Sequence, residues 1–171
     1  MLDLLGVVKF LITFGICLFI IAPFSALLHE LGHALMALAL TSSSVSIQLG
    51  QKGRMLKANL GRRLTMCLYM DPGVIFGIYR LLPKPSLSRS QDLGITLGGP
   101  LTSLLLVILF SGLGLSLGWA DVWKLPAIIN LFIALNSGFP WNYPSWQGIQ
   151  GGFPTDGLQV WHLIRQRPSP G

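Results

Sequence analysis

Acidic side chains are scarce in this chain: six in 171 residues, with Glu30 the sole glutamate. Charged residues of both signs make up 11% of the sequence, against about a quarter in soluble domains, so an ordinary water-facing surface cannot be assembled from it. Cysteine is nearly missing as well. Cys17 and Cys67 stand far apart, which excludes a disulfide framework and a cysteine-based metal motif. Internal repeats and low-complexity tracts are lacking, and no hydrophilic stretch is long enough for a separate soluble domain beside the apolar part.

What the chain has instead is long apolar runs, over about 4–40, 64–82, 93–118, 125–139 and 157–164. The first contains only Lys9 and Glu30 as charges. As one helix it would be about 55 Å long, where a hydrocarbon core needs about 30 Å, so it either projects from a membrane or bends at Pro23. The order of charges, Asp3 before Lys9, and the lack of a small-residue cleavage site predict that this segment is retained rather than removed as a signal peptide. Thr41-Ser42-Ser43-Ser44 ends it, and Val45 to Leu49 alternates apolar and polar residues, which predicts a short strand at the membrane surface.

The net charge of +6 is concentrated between residues 41 and 92, where Lys52, Arg54, Lys57, Arg62, Arg63, Arg80, Lys84 and Arg89 face only Asp71 and Asp92. Next to apolar segments this reads as a positive-inside bias rather than a nucleic-acid surface, and no nucleic-acid partner is expected. Asp71-Pro72-Gly73 breaks the 64–82 run and favours a re-entrant or surface hairpin over a crossing. Counting crossings then places the N-terminus outside, with 41–92 and the C-terminus in the cytoplasm. The expectation is an all-α polytopic membrane protein of a prokaryotic plasma membrane, one domain over 1–171. It has three core transmembrane helices, a short surface strand or hairpin region, and 64–82 as a further membrane-embedded segment.

His29-Glu30-Leu31-Gly32-His33 carries the chemistry. On a helix the i,i+4 spacing brings both imidazoles to one face, where they can hold a zinc ion, with Glu30 beside them to take a proton from metal-bound water. Histidines and a glutamate are costly among apolar neighbours, which favours a metal over incidental packing. A third ligand is needed. Asp156, in Pro154-Thr155-Asp156-Gly157, is the best carboxylate, the competing role being an ordinary helix N-cap; the remaining histidine, His162, reads as a packing or interfacial residue. Asn130 and Asn136 can bond across helices, and Asn136 is a candidate for a substrate cleft. Trp141, Tyr143 and Trp146 read as an interfacial aromatic belt.

These residues resemble the site-2 protease family of intramembrane zinc metalloproteases (peptidase family M50). The resemblance runs through His29 to His33, the strand at Val45 to Gly50, Gly99-Pro100-Leu101-Thr102-Ser103, Asn130 and Asn136, Pro140, Asp156-Gly157 and the basic end after Ile164. It implies a zinc-dependent endopeptidase cutting in or near transmembrane segments of membrane protein or peptide substrates. Zinc would sit on His29, His33 and Asp156, Glu30 would be the catalytic base, and Asn130 and Asn136 would lie at the substrate cleft. The lipid bilayer and a regulatory membrane partner are the other expected partners. Residues 137–155 are longer and richer in Trp and Gly than the usual family stretch, and no PDZ-like or CBS-like domain is present. The alternative reading is a non-catalytic membrane protein that binds zinc or a partner.

Overall fold

The first apolar run folds as one long helical rod in two parts, α1 (Leu4–Ile16) and α2 (Ala22–Leu40), joined by a π-helical turn at Cys17–Ile21. The cause is Pro23, two residues beyond the end of that turn. Its ring cannot donate a backbone hydrogen bond and crowds the carbonyl four residues back, and a widened turn ahead of it relieves both. The backbone N–H of Ala22 accordingly reaches back to the carbonyl of Cys17. The bend expected at Pro23 is thus a local widening of the helix. The computed structural model describes residues 4–69, 77–83, 85–117, 120–145, 147 and 150–165. The Asp71-Pro72-Gly73 break, Trp146 and the basic end beyond Arg165 lie outside the described residues.

At its C-terminal end α2 is closed by Thr41, whose N–H and hydroxyl both bond to the carbonyl of Ala37. The Arg63 guanidinium then gathers the carbonyls of Leu38, Thr41 and Ser43, placing positive charge where the helix leaves unpaired acceptors. Arg63 in this way ties the helix end to the sheet that follows.

That sheet has four strands: β1 (Ser44–Leu49), β2 (Met55–Asn59), β3 (Leu64–Tyr69) and β4 (Gly77–Leu82), in the order β2-β3-β1-β4. β1 pairs parallel with β3, Ile47 opposite Met66, and antiparallel with β4, Ile47 opposite Tyr79. β2 and β3 form an antiparallel hairpin. The period-two pattern from Val45 to Leu49 puts Val45, Ile47 and Leu49 on the buried face of β1. Val45, Ile47 and Leu64 pack with Ala34 and Ala37 of α2 and with Ile95. Each such large apolar side chain taken fully out of water contributes about 1.5–3 kcal/mol, which fixes the sheet against the helix that carries His29 and His33.

α3 (Arg89–Leu117) crosses α2 at very close range. A side chain at Gly32 would collide with the Gly98 carbonyl and the Thr102 hydroxyl, so glycine is required for this approach. α4 (Ala120–Gly138) packs mainly on α3, and a loop then leads to the short α5 (Asp156–Arg165), which lies against α3 and α4.

Two expectations are overturned here. The fold is mixed α/β with a true four-stranded sheet, not all-α. The 64–82 run supplies β3 and β4, which do not even pair with each other, because β1 lies between them. Within it Leu64 is buried in the core formed by β1 and α2, with Tyr79 and Leu81 packed against that core. The three-crossing localisation also fails. Among the described residues two helices, Leu4–Leu40 and Arg89–Leu117, are long and apolar enough to cross a membrane, and the apolar part of α4, Val122–Gly138, is shorter. With two such helices and a sheet between them, the crossing count that set the N-terminus outside and 41–92 in the cytoplasm has no footing.

Candidate metal centre

One turn of α2 presents His29 and His33 on the same side, toward α3 and the start of α5. His29 Nε2 lies 3.2 Å from Asp156 Oδ2, and His33 Nε2 lies 3.4 Å from the same oxygen. The ligand-capable atoms of the three residues all lie within 4.8 Å of one another, and all three residues are buried. Two donors bound about 2.0–2.1 Å from a tetrahedral ion stand about 3.3–3.4 Å apart, so these contacts already have the spacing that coordination needs. A His-His-Asp cluster able to hold a divalent cation is present.

The far side of each ring is held as well. His33 Nδ1 is 2.8 Å from the carbonyl of Ile95, an acceptor only, so this nitrogen keeps its proton and Nε2 is the one that a metal would take. The N–H of Gly99 also approaches Nδ1, at 3.3 Å. Tyr79 of β4 stacks on the same ring, with centroids 4.7 Å apart. His29 Nδ1 lies 2.9 Å from the hydroxyl of Ser103 on α3. Gly99 completes the setting. A Cβ there would run into Nε2 of both histidines, so the α3 backbone can approach the ligand atoms only because residue 99 has no side chain.

Asp156 reaches the histidines because its neighbour takes over the capping of α5. The Thr155 hydroxyl accepts the N–H of Leu158 at 3.3 Å and donates toward the carbonyls of Phe139 and Trp141, while the Thr155 carbonyl accepts the N–H of Gln159. Thr155 is therefore the N-cap, and Asp156 is the first helical residue with its carboxylate free to face His29 and His33. Burial alone would raise the Asp156 carboxyl, but the positive charge that His33 takes up beside it and the hydrogen bonds from the His29 and His33 rings more than offset that and hold it well below the usual carboxylate range. It is thus in the charged form that a metal requires.

A cavity of about 500 Å³ opens over the cluster, lined by the three ligand residues, Glu30, the β4 segment 77–82 and residues of the loop before α5, among them Tyr143 and Gln150. Gln150 donates to the carbonyl of Gly77 at 2.6 Å, joining this loop to the end of β4. The Tyr143 phenol is pushed up by burial and then by the charges of Asp156 and Glu30, so it remains a neutral donor. Glu30 is buried beside the cluster, its stem against Gly77, but the group of ligand atoms is His29, His33 and Asp156 without it.

The two asparagines lie elsewhere. Asn130 is fully buried and donates to the Ser25 hydroxyl at 3.0 Å and to the Pro126 carbonyl at 2.8 Å, joining α4 to α2. Asn136 offers its main-chain carbonyl to the Trp141 indole. Neither lines the cavity over the cluster. Sequence reasoning did not single out Thr155, Ser103 or Gly99 as parts of the site. For Thr155 the signal was at hand, since a threonine directly before an apolar helical run is a capping residue.

No family model matches this chain, and no curated protein matches it. The resemblance to the site-2 protease family is overturned by the fold: a four-stranded sheet with two long apolar helices and a His-His-Asp site replaces the expected polytopic helical architecture. The expected function, a zinc metalloendopeptidase acting within the membrane with Glu30 as catalytic base, falls with it. What remains is the metal-binding cluster.

Proposed function

We propose that this protein is a non-catalytic metal-binding protein that holds one zinc ion on His29, His33 and Asp156. The observation that carries the reading is the convergence of two imidazole nitrogens and one carboxylate oxygen at coordination spacing, in a buried setting. Nitrogen and oxygen donors of this kind suit zinc, and two neutral imidazoles with one carboxylate leave a single net positive charge on the ion. The environment supports the same assignment. The cation compensates a carboxylate that would otherwise be buried among apolar helices, and each ring nitrogen turned away from the ion has its own hydrogen-bond partner. Three protein ligands leave room for a fourth donor. The cavity reaches all three ligand residues, so a donor group from a partner molecule can complete the coordination there.

The reading is tested by zinc titration with elemental analysis of the purified chain. One zinc per chain is expected in the wild type and in Glu30→Gln, with binding lost in His33→Ala and Asp156→Ala. Absence of zinc from folded wild-type protein after metal supplementation would overturn it, as would an unchanged affinity in Asp156→Ala.

A further inference from the structure

The two histidines are oriented by different means. His33 is fixed twice over, by a main-chain carbonyl at Nδ1 and by the stacked ring of Tyr79. His29 meets His33 edge-on and, among the described residues, has the hydroxyl of Ser103 as its partner at Nδ1. Ser103 is fully buried on an apolar stretch of α3, Leu101 to Leu106, where a hydroxyl without a partner would be costly. Its bond to His29 spans 74 residues of sequence and joins α3 to α2 at the metal ligands.

We infer that Ser103 is a positioning residue of the metal centre: its hydroxyl accepts the Nδ1 proton of His29 and so keeps the Nε2 lone pair turned toward the ion. This rests on the metal-binding reading above. The physical reason is tautomeric. A neutral imidazole carries one proton, and an acceptor at Nδ1 holds it there, leaving Nε2 as the donor to the metal. The same bond restrains rotation of the ring about the Cβ–Cγ axis, where, among the described residues, His29 has neither the backbone acceptor nor the stacked aromatic that hold His33. Ser103 thereby does for His29 what the Ile95 carbonyl does for His33, with the difference that a side chain can be removed by mutation.

If Ser103 served only as a small residue at the close crossing of α2 and α3, alanine would replace it without consequence for the metal. The experiment compares wild type, Ser103→Ala and Ser103→Thr by zinc titration, by the visible spectrum of the cobalt(II)-loaded protein, and by helix content from circular dichroism. Nitrogen NMR of the histidine rings is recorded on zinc-loaded wild type. Ser103→Ala is expected to keep its helix content, bind zinc roughly 10- to 100-fold more weakly and change the cobalt spectrum, with Ser103→Thr closer to wild type. In the wild type His29 should show a protonated Nδ1 and a metal-bound Nε2. Equal zinc affinity and an unchanged spectrum in Ser103→Ala would overturn the inference and leave the metal site standing. If Ser103→Ala does not fold, the ring spectrum decides, and a metal-bound Nδ1 on His29 refutes the role. A wild type that binds no zinc would instead remove the metal-binding reading itself.

Discussion

The Nε2 edges of His29 and His33 leave room on the α3 side for no more than a hydrogen atom, and Gly99 is the residue found there. Glycine in a helix interior normally costs about 1 kcal/mol relative to alanine, so Gly99→Ala would stabilise an unconstrained helix. Here the added methyl group meets both ligand nitrogens. The expected outcome is zinc binding weakened by roughly tenfold or more with helix content retained, read by titration and circular dichroism on the same samples. At this scale part of the site was legible. The i,i+4 histidine pair can be read from spacing alone, and Asp156 stands out as a carboxylate in an apolar C-terminal part. Ser103 and Gly99 could not be found the same way. A serine and a glycine in an apolar helix say nothing about a histidine 74 or 66 residues away, because that relation exists only once α2 and α3 have packed.

α5 shows how an element delivers a ligand. Its first residue is Asp156, and the geometry of that residue depends on the Thr155 cap and on the bonds from Thr155 to the carbonyls of Phe139 and Trp141. Thr155→Ala should cost about 0.5–2 kcal/mol of stability, as the loss of a helix N-cap does. It should also weaken zinc binding, because the start of α5 is no longer held, and thermal unfolding with and without zinc separates the two effects. The sheet is where sequence patterning misled. The run from Leu64 to Leu82 is apolar enough to be taken for one membrane-embedded element, yet it holds two strands that flank β1. Periodicity distinguishes a strand from a helix only when one face is wet. β3 is buried or half-buried along its whole length, which erases the alternation that made β1 readable.

For the molecule as a whole, the centre joins parts that are remote in sequence. His29 and His33 belong to the N-terminal rod, Gly99 and Ser103 to α3, and Asp156 to the last helix. An ion bound at such a junction stabilises the folded state over an unfolded chain in which these groups are scattered. With free zinc at about a hundred times its dissociation constant, the gain is about 2.7 kcal/mol, or roughly 5–10 °C in melting temperature for a chain of this size. A chelator should reverse that shift in the wild type and have no effect on Asp156→Ala. The wider architecture was less legible than the centre. Low charge and long apolar runs suggested a three-crossing helical protein, whereas the folded chain combines a four-stranded sheet with two helices of spanning length. Composition registers how much apolar surface there is, not whether a helix, a strand or a neighbouring element covers it.

The most direct measurement is zinc K-edge X-ray absorption on protein loaded with one equivalent of zinc. The account predicts two imidazole nitrogens and one carboxylate oxygen in the first shell, at about 2.0–2.2 Å, and loss of that pattern in Asp156→Ala. A shell of water oxygens alone, or a sulfur donor at about 2.3 Å from Cys17 or Cys67, would contradict it.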